Sequence, residues 1–300
     1  MQLHSYEGIH DLHAMLDLLT AGRNAQNSTY YVHRGDLQWW LFYTYVPEKV
    51  WQSNIRLLKK DGQLLGWVLL SMDMCAFDVY VTPDLCGTSR ERQLLTWAVE
   101  QMSALDEIET IWIAEDDKRR ILWLEENGFI EQQAHTILMK RLLSGPLDGP
   151  ALPDGFSLRS SCGEEDAVLR SVASHASFNS NKPFEEYVSR TLRFMQSPVY
   201  VPEHEILVTA QDGQVASFCI IWMDDLNKIG LFEPVGTHPA FQGKGLGKSL
   251  LFEGLRRLKS EGMHEASVCV ESTNQAGIRL YEAVGFQKVK RLLTYAKKRA

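Results

Sequence analysis

The chain reads as one order of elements written twice, and few folds accept such a duplication. In the first half, Gln2–Glu7 reads as a strand. Ile9–Leu19 reads as a helix, with apolar residues at 9, 12, 15, 16 and 19. Asp36–Tyr45 is an aromatic-rich helix candidate. Asn54–Leu70 gives two strands around Asp61-Gly62, a hairpin signal. A strand over Phe77–Thr82 ends at Pro83, and a helix spans Arg92–Met102. Strand Thr110–Ala114, helix Lys118–Glu126 and strand Thr136–Lys140 close the half. The second half repeats this order. It has strand Phe156–Arg159, helices Glu164–Phe178 and Pro183–Met195, and hairpin strands Glu205–Ala210 and Val215–Trp222 around Asp212-Gly213. Strand Leu231–Thr237, helix Leu246–Lys259, strand Glu265–Glu271, helix Asn274–Val284 and strand Arg291–Ala296 follow. Pro183 suits the first turn of its helix.

Two anchors fix the register. Pro83 and Pro239 each end the strand before the central helix, and Asn127-Gly-Phe129 and Val284-Gly-Phe286 each end the last helix. Between the halves, residues 144–155 hold three prolines and three glycines, a linker composition. The expected organisation is a domain over residues 1–143, the linker, and a domain over 156–300. A strand meander followed by βαβα implies an α/β fold with a mixed, mostly antiparallel sheet and helices on both faces.

One junction carries chemistry. Between strand Leu231–Thr237 and helix Leu246–Lys259 lies Gln242-Gly-Lys-Gly-Leu-Gly247, three glycines in six residues. Glycine turns tightly and lets a ligand approach the backbone. Uncapped N–H groups at a helix start, backed by the helix dipole, attract phosphate. The spacing is neither the P-loop nor the dinucleotide fingerprint. It fits Q/R-x-x-G-x-G/A, which resembles the acyl-CoA pyrophosphate loop of the GNAT superfamily of N-acyltransferases. An ordinary glycine-rich βα turn is the other reading. Downstream, Asn274 to Phe286 resembles that family's N-x-x-A/G-x-x-x-Y-x-x-x-G-F helix.

The resemblance implies two tandem GNAT-like domains and a direct transfer from thioester to amine. It places the pyrophosphate on Gln242, Gly243, Lys244, Gly245, Leu246, Gly247 and Lys248, mostly through backbone N–H groups. It places pantetheine along Val235 to Thr237, with Asn274 nearby. Tyr281 becomes the candidate general acid for the departing thiolate, a core aromatic being the alternative. Asn274 also reads as a helix N-cap. Glu233, on the strand entering the loop, is the candidate base, with a structural carboxylate as the alternative. His238 is a second titratable group, expected to be exposed. The family uses the Phe178–Met195 segment as an acceptor lid.

The first half departs from this pattern. Alignment on Pro83 and Pro239 puts Cys86 at Gln242, Ser89 at Gly245 and Glu91 at Gly247. A carboxylate there repels pyrophosphate. Alignment on Gly128 and Gly285 puts Asp117 at Asn274 and Leu124 at Tyr281. The first half thus keeps the fold without a cofactor site, as part of the acceptor pocket or as scaffold. Its aromatic run, Trp39, Trp40, Phe42, Tyr43 and Tyr45, reads as core or interdomain packing, with a pocket lining as the alternative.

A net charge of −7 argues against general nucleic-acid binding. Five scattered cysteines show no zinc spacing, so no metal is expected, and Cys219 and Cys269 read as reduced core residues. No stretch approaches a membrane span and no leader pattern opens the chain, which predicts a cytoplasmic protein. The expected function is acetyl-CoA-dependent N-acetyl transfer to a small-molecule or peptide amine. The alternative is a non-catalytic acyl-CoA sensor on the same duplicated fold.

Overall fold

The computed structural model describes residues 2–25, 32–44 and 50–299. The first half runs β1 (Gln2–Ser5), α1 (Ile9–Arg23), α2 (Arg34–Trp39), a π-helical turn (Trp40–Thr44) and α3 (Trp51–Asn54). It continues through β2 (Ile55–Lys60), β3 (Gln63–Ser71), β4 (Ala76–Val81), α4 (Ser89–Gln101), β5 (Glu107–Thr110), β6 (Ile113–Ala114), α5 (Lys118–Glu126) and β7 (Ile130–Leu142). The second half runs β8 (Phe156–Ser160), α6 (Ala167–Ser177), α7 (Phe184–Met195), β9 (Glu205–Ala210), β10 (Val215–Asp224) and β11 (Ile229–Thr237). It ends with α8 (Leu246–Ser260), β12 (Glu265–Glu271), α9 (Gln275–Ala283) and β13 (Gln287–Lys298). Residues 144–155 carry no helix or strand.

Local chemistry explains the main elements. The helical stripe Leu12, Met15, Leu16 and Leu19 of α1 is buried. Asp61 and Gly62 both take positive φ, as a two-residue hairpin turn requires. β3, β4, β9 and β10 are buried along nearly their whole length, because helices cover both faces of the sheet.

The strands form one sheet in the order β1-β2-β3-β4-β5-β13-β7-β12-β11-β10-β9-β8, with β6 also on β13. The pairings are antiparallel except β4 with β5 and β11 with β12. The two halves exchange their last strands. β7 of the first half pairs with β12 from Glu265↔Leu142 to Glu271↔Thr136, and β13 pairs with β5 from Ala296↔Glu109 to Lys298↔Glu107. β7 and β13 then pair with each other. Each half therefore has its own antiparallel meander, and the two are fused at the exchanged strands into a continuous sheet.

Further contacts lock the halves. A Cβ on Gly35 would lie 2.5 Å from the Trp222 Cβ, so glycine is required where α2 meets β10. His33 Nε2 lies 3.2 Å from the Ile229 carbonyl oxygen. Trp39 stacks on Tyr43 at 4.0 Å and meets Phe194 of α7 edge-on. The aromatic run is thus mainly packing between halves; Tyr45 lies outside the described residues.

Several expected bounds are corrected. The last strands are longer than their apolar centres, because Ile130–His135 and Gln287–Lys290 gain ladder partners from the exchange. The strand expected over 110–114 divides into β5 and β6. Pro183 is the N-cap of α7, not its first helical residue. The aromatic helix turns from α to π at Trp40.

Candidate active site

The sheet opens beside β11. Its parallel pairing with β12 runs from Ile229↔Glu265 and ends at Phe232↔Val268. Val235, Gly236 and Thr237 keep their ladder with Cys219, Phe218 and Ser217 of β10, so only the edge toward β12 is left open. Two cavities meet at this gap, of about 430 and about 700 Å3. Phe178, Val235, Asn274 and Tyr281 line both.

The smaller cavity gathers the residues expected to hold the cofactor. Val235, Thr237, Gln242, Gly243, Gly245, Leu246, Gly247, Lys248, Asn274 and Tyr281 are on its wall. Lys244 is not; it is exposed, with its ammonium 5.7 Å from the rings of Phe156 and Phe241. Gly243 and Gly245 have φ of 75° and 81°, with open space where a Cβ would project. Gly245 caps α8 without any side-chain bond, so the first N–H groups of the helix remain available. The Gln242 side-chain amide donates to the Thr237 carbonyl at 3.2 Å, tying the loop to its strand. Glycine, an uncapped helix start and a flanking lysine fit a pyrophosphate.

Asn274 is the N-cap of α9, accepting from the Gly277 N–H at 2.9 Å. Its side chain still reaches both cavities. Tyr281 is buried, and burial first, then Glu233, Cys219 and Cys269, hold its phenol well above the ordinary range. It stays protonated at neutral pH.

The equivalent place in the first half is sealed. Glu91, where Gly247 stands in the second half, is buried rather than at an open mouth. It accepts from Arg120 Nη2 at 2.7 Å and from the Gly87 N–H at 2.6 Å. Thr88 accepts from the Arg90 N–H, so this helix start is capped by its own side chains. Asp117 caps α5 through the Arg120 N–H at 3.2 Å, as Asn274 caps α9, and Leu124 fills the tyrosine position, fully buried. An ion pair therefore occupies the space that glycines leave open in the second half.

The larger cavity is built by both halves. Trp40, Met74, Glu109, Trp112 and Thr136 come from the first half; Glu233 and Glu271 come from the second. Of the Phe178–Met195 segment only Phe178 lines it, because α7 is turned toward the aromatic run of the first half. Glu233 is half-buried, and Trp222 Nε1 donates to its backbone oxygen at 2.6 Å. Burial, and then the nearby Asp36, push its carboxyl up to about 8. Asp36 is itself raised to about 7 by burial; its Oδ2 accepts from the His33 N–H at 2.6 Å and its Oδ1 has no partner. His238 is half-buried and its Nδ1 accepts from the Ala240 N–H, so it serves the loop entrance. Glu109, Trp112 and Asp36 carry no sequence motif; only the exchanged strands and the docking of α2 bring them here.

Cys219 is fully buried and Cys269 is half-buried. Among the described residues no group of three or more His, Cys, Asp or Glu side chains is placed to hold a metal ion. No described helix is long and apolar enough to cross a membrane.

Residues 170–286 match the model described as the acetyltransferase (GNAT) family. A mycothiol acetyltransferase of Streptomyces avermitilis is 31% identical over 49% of this chain and 48% of its own length. One from Actinosynnema mirum is 32% identical over 53% and 54%. The chain thus spans about half the length of these curated relatives. A tandem GNAT protein from the clavulanic acid biosynthesis pathway superposes with a TM-score of 0.72 at 15% identity, covering 100% of this chain and 98% of the other. A GCN5-related N-acetyltransferase from Sphaerobacter thermophilus gives 0.66 at 19% identity, covering 99% and 95%. These two structures share the fold across both halves.

Proposed function

We propose that this chain, whose residues 170–286 match the acetyltransferase (GNAT) family model, is an acetyl-CoA-dependent N-acetyltransferase acting on a small-molecule primary amine. The observation that carries this is the meeting of two cavities at Tyr281, Val235 and Asn274, one lined by the glycine loop, the other by carboxylates. The relatives, named for mycothiol, favour a small molecule over a peptide. In this reading residues 1–143 are a cofactor-free domain, 156–300 hold the acyl-CoA site, and the protein works in the cytoplasm.

Acetyl-CoA bound along the loop supplies the acetyl group and a thiolate leaving group. The Gln242–Lys248 backbone holds the pyrophosphate, and Lys248 adds charge. An N–H of the open Val235–Thr237 edge polarises the carbonyl. The amine nitrogen forms the new C–N bond as the C–S bond breaks. Glu233 takes the proton released from nitrogen, directly or through water, and Tyr281 gives one to sulfur. A carboxyl titrating near 8 suits a base working on an amine at neutral pH.

Isothermal titration with acetyl-CoA tests the first part. Gly245→Glu should abolish binding, because position 245 sits at φ 81° at the helix start and a carboxylate there opposes phosphate. Thiol release on a panel of amines tests the second. Undiminished binding by the variant, or no turnover of any amine, rejects the reading, the latter in favour of a sensor.

A further inference from the structure

The acceptor cavity has an unusual charge census. Glu109, Glu233 and Glu271 line it, and no lysine, arginine or histidine does among the described residues. Glu109 is half-buried on β5, with its backbone fixed by pairing to Ala296 and Ala76. None of the described ion pairs uses it. Burial and the neighbouring Glu107 both disfavour its charged form. A half-buried carboxylate without a counter-ion is costly, and an incoming ammonium relieves that cost.

The wall between the carboxylates is aromatic. Trp40 and Trp112 meet at 5.1 Å, and the Trp112 indole N–H donates to Thr136 Oγ1 at 3.2 Å, which fixes its ring. Such faces pack methylene groups and attract cations. Glu109 is on β5 and Glu233 on β11, with β13, β7 and β12 between them. Four strand steps span about 19 Å along the sheet. Beyond Glu109 the cavity continues into a polar trough with Gln132, Gln133 and Ser272, sharing Glu109 and Thr294.

We propose that the acceptor is an elongated polyamine, with one amine reacting between Glu233 and Tyr281 and a distal ammonium held by Glu109. The inference rests on the acetyl-transfer reading of the same site. It makes the first half, which has no open cofactor loop, the determinant of acceptor choice. Glu109 is a specificity residue at the far end of the cavity.

Binding and turnover separate the two readings. Octamethylenediamine and octylamine are titrated into the full chain with CoA present. The diamine should bind about tenfold more tightly, as a charge-assisted contact implies. Glu109→Gln should remove most of that difference and Glu109→Asp should keep part of it, with acetyl-CoA affinity as the check on folding. Equal binding of the two amines by the wild type overturns the proposal without any variant. So does a difference that survives in a folded Glu109→Gln protein. Thiol release with the same amines is scored separately. Tight diamine binding without acetylation rejects acetyl transfer and leaves the charge inference standing. Acetylation of both amines with equal KM does the reverse.

Discussion

Glu233→Gln examined across pH gives the sharpest prediction. Glu233 is raised from its ordinary 4.5 to about 8, mainly by burial and secondly by Asp36. As a base it works only when ionised. Its ionised fraction is about one-tenth at pH 7 and about nine-tenths at pH 9, so this group should raise wild-type kcat/KM about tenfold between them, on top of the acceptor amine's own titration. Glu233→Gln should lower kcat/KM by about a hundredfold or more and leave only the titration of the acceptor amine. Asp36→Asn removes the like charge and should move the limb to lower pH. Because burial is the larger cause, Asp36 accounts for less than half of the rise, and the limb should move by under about two pH units. The other groups facing this cluster are Arg23, His33, Cys269 and Tyr281. The assay is thiol release with saturating acetyl-CoA and subsaturating amine, each variant compared with wild type on the same acceptor. Superimposable profiles for wild type and Glu233→Gln would refute the assignment of the base. An unmoved limb in Asp36→Asn would refute the coupling across the halves.

Tyr281→Phe should lower kcat about tenfold to a hundredfold while acetyl-CoA affinity, measured calorimetrically, changes little, because only the proton donor is lost. Arg120→Ala strands the buried Glu91 and should cost about 3–5 kcal/mol. By melting that is a fall of about 10 °C for a chain of this size. Arg120→Met with Glu91→Gln should recover most of it, and a single variant melting like wild type would contradict the plug. Asp36 has a folded pKa of about 7, above its ordinary 3.8, so its stabilising contribution is full below 3.8 and lost as pH rises through 7. Asp36→Asn should therefore gain stability over wild type at pH 8 relative to pH 4 in denaturant titrations, by at most about 4 kcal/mol.

Much was legible because it is local. The glycine loop, the α9 helix with Asn274 and Tyr281, and the repeated element order each depend on neighbours in the chain. Residue type and spacing suffice for turns, caps and periods. The loop Cys86-Gly-Thr-Ser-Arg-Glu91 was equally visible as a departure from the glycine pattern. What it became was not. Glu91 meets Arg120, 29 positions away, and the charge that would repel phosphate is neutralised inside the protein. Spacing along the chain carries no signal for such a pair.

The larger cavity was decided by tertiary structure. β7 and β13 are alike in pattern, and period-two alternation names a face without naming a partner strand. Their exchange brings β5 to β13 and β7 to β12, and so sets Glu109, Trp112 and Thr136 in the same cavity as Glu233 and Tyr281. The sequence by itself pointed to a helix start with bare N–H groups after β11, because the glycines at 243, 245 and 247 bring no side chain that could cap it. Only the folded chain determined what faces that site, because a cavity lined by Glu109, Glu233 and Glu271 is a property of surfaces that meet from both halves.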